Sequence, residues 1–126
     1  RTRRAATQPY RGRIMFEIRC YHYDPAKFDA YKRWAVDDAA PFLKANLNVV
    51  GFWLDNGKDI ELTGSDPTPQ KHGAANVTWI IKWESEEHRN EGFKALFEGE
   101  GWQDVWARHP DADGYLQMEA RFAEEV

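Results

Sequence analysis

The chain has little of what membrane proteins, disulfide scaffolds and motif-bearing enzymes are built from. Its single cysteine, Cys20, excludes an internal disulfide and suits a reducing compartment. Set in an alternating strand pattern, that thiol reads as a small core residue rather than a nucleophile. No apolar run approaches the roughly 18 residues of a membrane-spanning helix, the best being Asn-Val-Val-Gly-Phe-Trp-Leu at 48–54. The N-terminal residues lack the apolar stretch of a secretory signal. Ser65 and Ser85 lie in no nucleophile motif, and Gly99 and Gly101 build no phosphate loop. The four histidines, His22, His72, His88 and His109, fall at no metal-ligand spacing. Glu84, His88 and Glu91 read as a solvated helix face, and Asp-Ala-Asp-Gly at 111–114 reads as a turn. No metal and no cofactor is therefore expected.

Charge excludes a further class. The net charge is −4, but five Arg and no acid stand in residues 1–14, leaving an acidic remainder. Nucleic-acid binding needs clustered Lys and Arg on the folded surface, so no nucleic-acid partner is expected. The Arg-rich segment has no apolar periodicity. It reads as a flexible N-terminal extension over 1–14, ahead of one domain over 15–126; a transit-peptide remnant or an arm docked on the acidic body are the other readings.

What the chain has in excess is aromatic: six Trp, five Tyr and seven Phe in 126 residues. Large rings let a short chain gain a substantial core or interface. Residues 15–23 alternate, with Phe16, Ile18, Cys20 and His22 on one face and Glu17, Arg19, Tyr21 and Tyr23 on the other, the pattern of a strand. Asp24-Pro25 starts a helix with a stripe of Phe28, Tyr31, Trp34 and Phe42, which Pro41 should kink or split before its end near Asn46. A second strand at 48–55 runs into the Asn56-Gly57 turn and a long polar connection over 57–75, with a short strand expected at 60–63. A third strand spans 76–84, with Val77, Trp79, Ile81 and Trp83 on one face. Ser85 caps the next helix, Gly99 breaks it, and a short helix through Trp102, Val105 and Trp106 stops at His109-Pro110. The last strand, 115–122, should turn Leu116, Met118, Ala120 and Phe122 to the apolar side.

The order β, α, β, β, α, β is that of an α+β, ferredoxin-like antiparallel sheet with helices on one face. Aromatics on both strand faces predict that something covers the second face, and a two-fold copy of the chain is the simplest cover. The implied assembly is a homodimer.

At this point the motifs carry a resemblance. Phe-Glu-Ile-Arg-Cys-Tyr at 16–21, Asp-Pro-Ala-Lys-Phe-Asp-Ala-Tyr at 24–31, Val-Val-Gly-Phe-Trp at 49–53, Trp-Glu-Ser at 83–85 and Gly-Trp-Gln-Asp-Val-Trp at 101–106 resemble NIPSNAP-family domains across residues 15–122. The resemblance implies the dimeric barrel fold and a homodimer, and brings no settled reaction. Where many relatives carry His, Trp and Tyr on the third strand, this chain has Trp79, Ile81 and Trp83.

The candidate ligand site is the aromatic space expected between two paired sheets, lined by Arg19, Tyr21, Trp53, Trp79 and Trp83, with His22 as the best histidine for a cavity wall or haem ligand. Against it stands the simpler reading that these rings fill a dimer core. Glu17 and Arg19 share a strand face, either as an interface lock or as a ligand anchor. The leading expectation is a cytoplasmic homodimer of undefined biochemical role that holds a small apolar or aromatic ligand. The alternatives are a cofactor-free monooxygenase or haem-binding enzyme of the same barrel type, and a non-catalytic interaction module.

Overall fold

The computed structural model describes residues 13–126; all but the last two of the expected N-terminal extension lie outside the described residues. Strand β1 (Met15–Tyr23) leads through a single 3₁₀ turn into helix α1 (Phe28–Trp34), a π turn (Ala35–Ala39) and helix α2 (Ala40–Asn46). Strands β2 (Val49–Leu54) and β3 (Val77–Trp83) follow, then helices α3 (Glu86–Glu98) and α4 (Glu100–Ala107) and strand β4 (Tyr115–Ala123). The four strands form one antiparallel sheet in the order β2-β3-β1-β4. This is the ferredoxin-like arrangement, with both central strands coming from the starts of the two βαβ halves.

Local chemistry places the element ends where the residue types require. The Asp24 carboxylate accepts the Ala26 N–H, and Pro25 costs nothing where no helical N–H bond is due. Ser85 Oγ accepts the His88 N–H at 3.0 Å, and Glu86 and Glu87 favour the positive helix end. Pro41 has no N–H, and its ring would meet the Asp37 carbonyl in a regular α-helix. The chain answers by widening one turn: Ala40 N–H bonds back five residues to the Ala35 carbonyl, and the helix continues. The expected kink is thus a π turn whose buried residues are Ala35 and Ala39.

The helices cover the face formed by the odd-numbered residues of β1 and β3. Met15, Glu17, Tyr21, Tyr23, Val77, Trp79, Ile81 and Trp83 are all buried there, beneath Tyr31, Trp34, Ala39 and Leu43 of the first helical run and Leu96 and Val105 of the second. The residues of the opposite face are mostly half-buried. Phe16, Ile18 and Cys20 of β1 stand there beside Thr78, Ile80 and Lys82 of β3, with Ile18 directly opposite Ile80.

Two expectations need correction. No strand forms at 60–63: Ile60 and Leu62 are exposed, and the segment lies in the irregular connection between β2 and β3. Its exit is held by Asn76, whose side-chain amide exchanges two hydrogen bonds of 2.8 Å with the Tyr23 backbone. On β4, the register slips between His22 and Tyr23, so Tyr23 faces Tyr115 while His22 faces Gln117. Leu116 is the extra residue of this bulge and is exposed, and Tyr115 takes the inward position instead.

At the centre of the covered face lies a charge. The Glu17 side chain is 0 % exposed. Its Oε1 accepts from Trp83 Nε1 at 2.9 Å and Arg89 Nε at 2.7 Å; its Oε2 accepts from Arg19 Nη1 at 2.7 Å and Arg89 Nη2 at 3.2 Å. Burial pushes the carboxyl upward, but the hydrogen bonds from Arg89 and Arg19 outweigh it and hold Glu17 below its ordinary value. Removing one member of such a cluster leaves charge uncompensated in a dry site. Glu17→Ala should therefore destabilise the fold by about 3 kcal/mol or more, read as a lowered midpoint in urea denaturation.

Candidate functional site

Between the sheet and the two helical runs lies a cavity of about 850 Å³, well within the range of small-molecule sites. Its floor is sheet: Arg19 and Tyr21 of β1, Phe52 of β2 and Trp79 of β3. The walls are helical, with Trp34, Ala39 and Leu43 on one side and Phe97, Trp102 and Trp106 on the other. The π turn explains part of this space, because it presents the small Ala39 to the interior where a larger side chain would fill it.

Two of the lining indoles, Trp34 and Trp79, are held in place by their own polar handles. Trp34 Nε1 donates to the Val105 carbonyl at 2.9 Å, tying the first helical run to α4. Trp79 Nε1 donates to the Tyr21 hydroxyl at 3.0 Å. Satisfied in this way, the rings form fixed walls. Arg19 Nε also donates to the Tyr21 hydroxyl, at 2.6 Å, and the guanidinium stacks near Tyr21, Trp79 and Phe93 at 5.5–5.9 Å. Burial alone would lower the Arg19 pKa, but its contacts with Tyr21 and Glu17 raise it, so the group stays charged.

At the far end the cavity meets a chain of hydroxyls and a histidine. His109 packs between Trp34 and Trp106 at ring distances of 4.4 and 4.3 Å. Its Nδ1 accepts the Asp111 N–H at 3.1 Å, which in the neutral ring puts the proton on Nε2, 2.9 Å from the Tyr115 hydroxyl. The Tyr115 ring in turn stands edge-on to Tyr31, with centroids 5.8 Å apart. Burial lowers the His109 pKa to about 4 against a weaker upward pull from Asp111. Burial raises both Tyr31 and Tyr115 well above the ordinary phenol range. At neutral pH this end of the site is an uncharged donor chain and holds no free base.

The structure divides the expected site residues between two faces. Arg19, Tyr21 and Trp79 converge on the cavity, but beneath the chain's own helices rather than between two sheets. Trp83 belongs to the same face and is spent on Glu17, outside the main cavity. Trp53 is 49 % exposed on the opposite face, since the slip between Val49 and Gly51 leaves it paired with Thr78 and lying over Gly51. A Cβ at Gly51 would collide with that indole, so the glycine is what admits it. His22 also lies on the opposite face, buried to 4 % and 6.4 Å from the His72 ring, so strand alternation removes it from the cavity. His88 turns its Nδ1 to the Glu84 N–H. Sequence reading missed Tyr31, Trp102, Trp106, His109 and Tyr115 as site residues. The Trp102 and Trp106 pair at i, i+4 was the available signal, because that spacing stacks both rings on one side of a helix, here 6.0 Å apart.

The fold framing this cavity is the one found in NIPSNAP proteins. A NIPSNAP family protein of Agrobacterium tumefaciens superimposes with a TM-score of 0.68 at 16% identity, covering 94% of this chain and 91% of that one. An uncharacterized NIPSNAP domain protein of Burkholderia xenovorans gives 0.64 at 15% identity, over 89% and 94% of the two chains. A structure described as a candidate antibiotic biosynthesis monooxygenase of Caulobacter crescentus gives 0.56 at 13% identity, over 93% of each chain. At these identities the likeness is one of fold. No family model and no curated protein matches the sequence.

The depressed His109 pKa has a measurable consequence. The unfolded chain binds this proton near pH 6.5, the folded chain only near 4, so stability is full above 6.5 and falls as pH drops between the two. An NMR titration should place the His109 midpoint near 4, and His109→Gln should remove that part of the acid destabilisation.

Proposed function

We propose that this chain is a NIPSNAP-like homodimer that binds a small aromatic or apolar molecule in the cavity between its sheet and its own helices. The observation that carries the reading is the cavity itself: about 850 Å³ walled by Trp34, Trp79, Trp102 and Trp106, with phenol and guanidinium donors grouped at its floor. A purely structural module would have closed this space, since an unfilled apolar volume forfeits contact energy. The expected ligand residues Arg19, Tyr21 and Trp79 remain in the site so proposed, while Trp83, Trp53 and His22 leave it.

The dimer rests on the other face. Helices cover only one side of the sheet, and the other side carries Phe16, Ile18, Ile80 and the half-exposed Trp53. A second copy related by a two-fold axis would pair these faces and close the barrel. No helix among the described residues is long and apolar enough to cross a membrane, and the unpaired Cys20 suits the cytoplasm.

A second reading is cofactor-free monooxygenation, favoured by the fold shared with the Caulobacter protein. It needs a group that takes a proton from the substrate. The described residues here offer a neutral His109 whose Nδ1 is occupied, together with phenols of raised pKa. Binding is therefore the better-supported activity.

Two experiments test the proposal separately. Native mass spectrometry should find a dimer, and Ile18→Glu should yield a folded monomer with unchanged far-UV circular dichroism; a wild-type monomer would overturn the assembly. N-phenyl-1-naphthylamine, a neutral dye that brightens in apolar sites, should bind one per protomer. Trp106→Ala, removing a partly exposed wall ring, should weaken that binding by about threefold to tenfold; dye binding that is absent would overturn the ligand site.

A further inference from the structure

The proposed site has a polarity of its own. Among the described residues lining the cavity Arg19 alone is charged. Its counter-ion is already engaged: Glu17 meets Arg89 through both carboxylate oxygens and Arg19 through one. One carboxylate shared by two guanidinium groups leaves a net positive charge in the cluster. Arg89 lies beside Phe93 and Phe122 and does not line the cavity. Arg19 does, so the uncompensated charge is presented to the cavity at its floor.

The donors are available as well as the charge. Arg19 spends Nε–H on Tyr21 and one Nη1–H on Glu17, and among the described residues no acceptor engages its Nη2. The side chain keeps 20 % of its surface accessible, so these N–H groups are not sealed in the core. Next to them the Tyr21 hydroxyl accepts from both Arg19 and Trp79, and among the described residues no acceptor takes its own proton. A guanidinium edge and a phenol O–H therefore stand together on the floor, and the rest of the lining is mostly aromatic.

We infer that the ligand of this cavity is an aromatic anion, an arene carboxylate or a comparable oxyanion, with its charged oxygens on Arg19 and Tyr21 and its ring body among Trp79, Trp102 and Trp106. The inference rests on the binding function proposed above and specifies the chemical class bound. A neutral arene would leave the Arg19 donors and charge facing an apolar surface, which costs binding. A cationic one would meet the net positive cluster. The chain's overall charge of −4 opposes an incoming anion only at long range, where salt screens it beyond about 8 Å; contact geometry at the floor decides.

The test is isothermal titration of the full chain with the matched pair 2-naphthoate and 2-naphthamide. Wild-type protein should bind the acid about ten- to hundredfold more tightly than the amide, as a charge-assisted pair requires. Arg19→Gln should bring the acid down to the level of the amide. Arg19→Lys should restore part of the preference. Equal binding of acid and amide by the wild-type chain would overturn the anion assignment and leave the aromatic site standing. Absence of binding for both compounds would overturn the site as well. The wild-type comparison needs no variant, so a folding defect in Arg19→Gln cannot shield the inference.

Discussion

The Glu17 carboxylate is the constraint on which the rest of the arrangement depends. A charge that far from water is tolerable only with its hydrogen-bonding capacity filled, and unpaired it would cost several kcal/mol. Its partners come from three elements: Arg19 beside it on β1, Trp83 across the ladder on β3, and Arg89 from the second turn of α3. Docking α3 in any other place would strand the carboxylate. The same group holds Arg19 through Nη1, and Arg19 in turn holds the Tyr21 hydroxyl through Nε. A single buried charge thereby links the seating of a helix to the floor of the cavity.

This also explains which parts of the molecule were legible in the sequence. Element order followed from alternation, capping residues and glycine breaks, and the structure repeats it from Met15 to Ala123 with one change, the missing strand at 60–63. The identity of the covered face was not legible. On β1 one face reads Phe16, Ile18, Cys20, His22 and the other Glu17, Arg19, Tyr21, Tyr23; hydrophobicity alone assigns the first to the helices. The helices take the second, because Glu17 and Arg19 find their partners there and the tyrosines bring more ring area than the aliphatics opposite. Long-range pairing of charges has no local sequence signature. Two irregularities add to the difficulty: the slip beside Val49 and the bulge at Leu116 each reverse the inside–outside sense partway along a strand.

The cavity was hidden for a different reason. Its helical wall residues, Tyr31, Trp34, Trp102 and Trp106, follow the same spacing as residues that fill a core. What separates a wall from a filling is whether the rings close on one another, and that depends on backbone details outside the pattern. The π turn that accommodates Pro41 puts Ala39 at the interior. Gly101 lets α4 approach Phe42 so closely that any Cβ there would meet the ring at 2.7 Å. The first leaves room beneath the helices, and the second draws the two helical runs together above it.

The covered face with its cavity and the other face with its aliphatic centre lie on opposite sides of one sheet, and they share backbone but no side chains. Alternation ensures this: Arg19, Tyr21 and Trp79 cannot touch a partner that packs on Ile18 and Ile80. The proposed ligand site and the proposed dimer face are thus separable by substitution, which a site lying between two sheets would not allow. A substitution at Trp79 reports on the core and the cavity and says nothing about the other face of the sheet. Coupling between the two faces would have to pass through strand geometry, and β1, which pairs with both neighbours and carries Glu17 and Arg19 on one side and Ile18 on the other, is the element able to carry it.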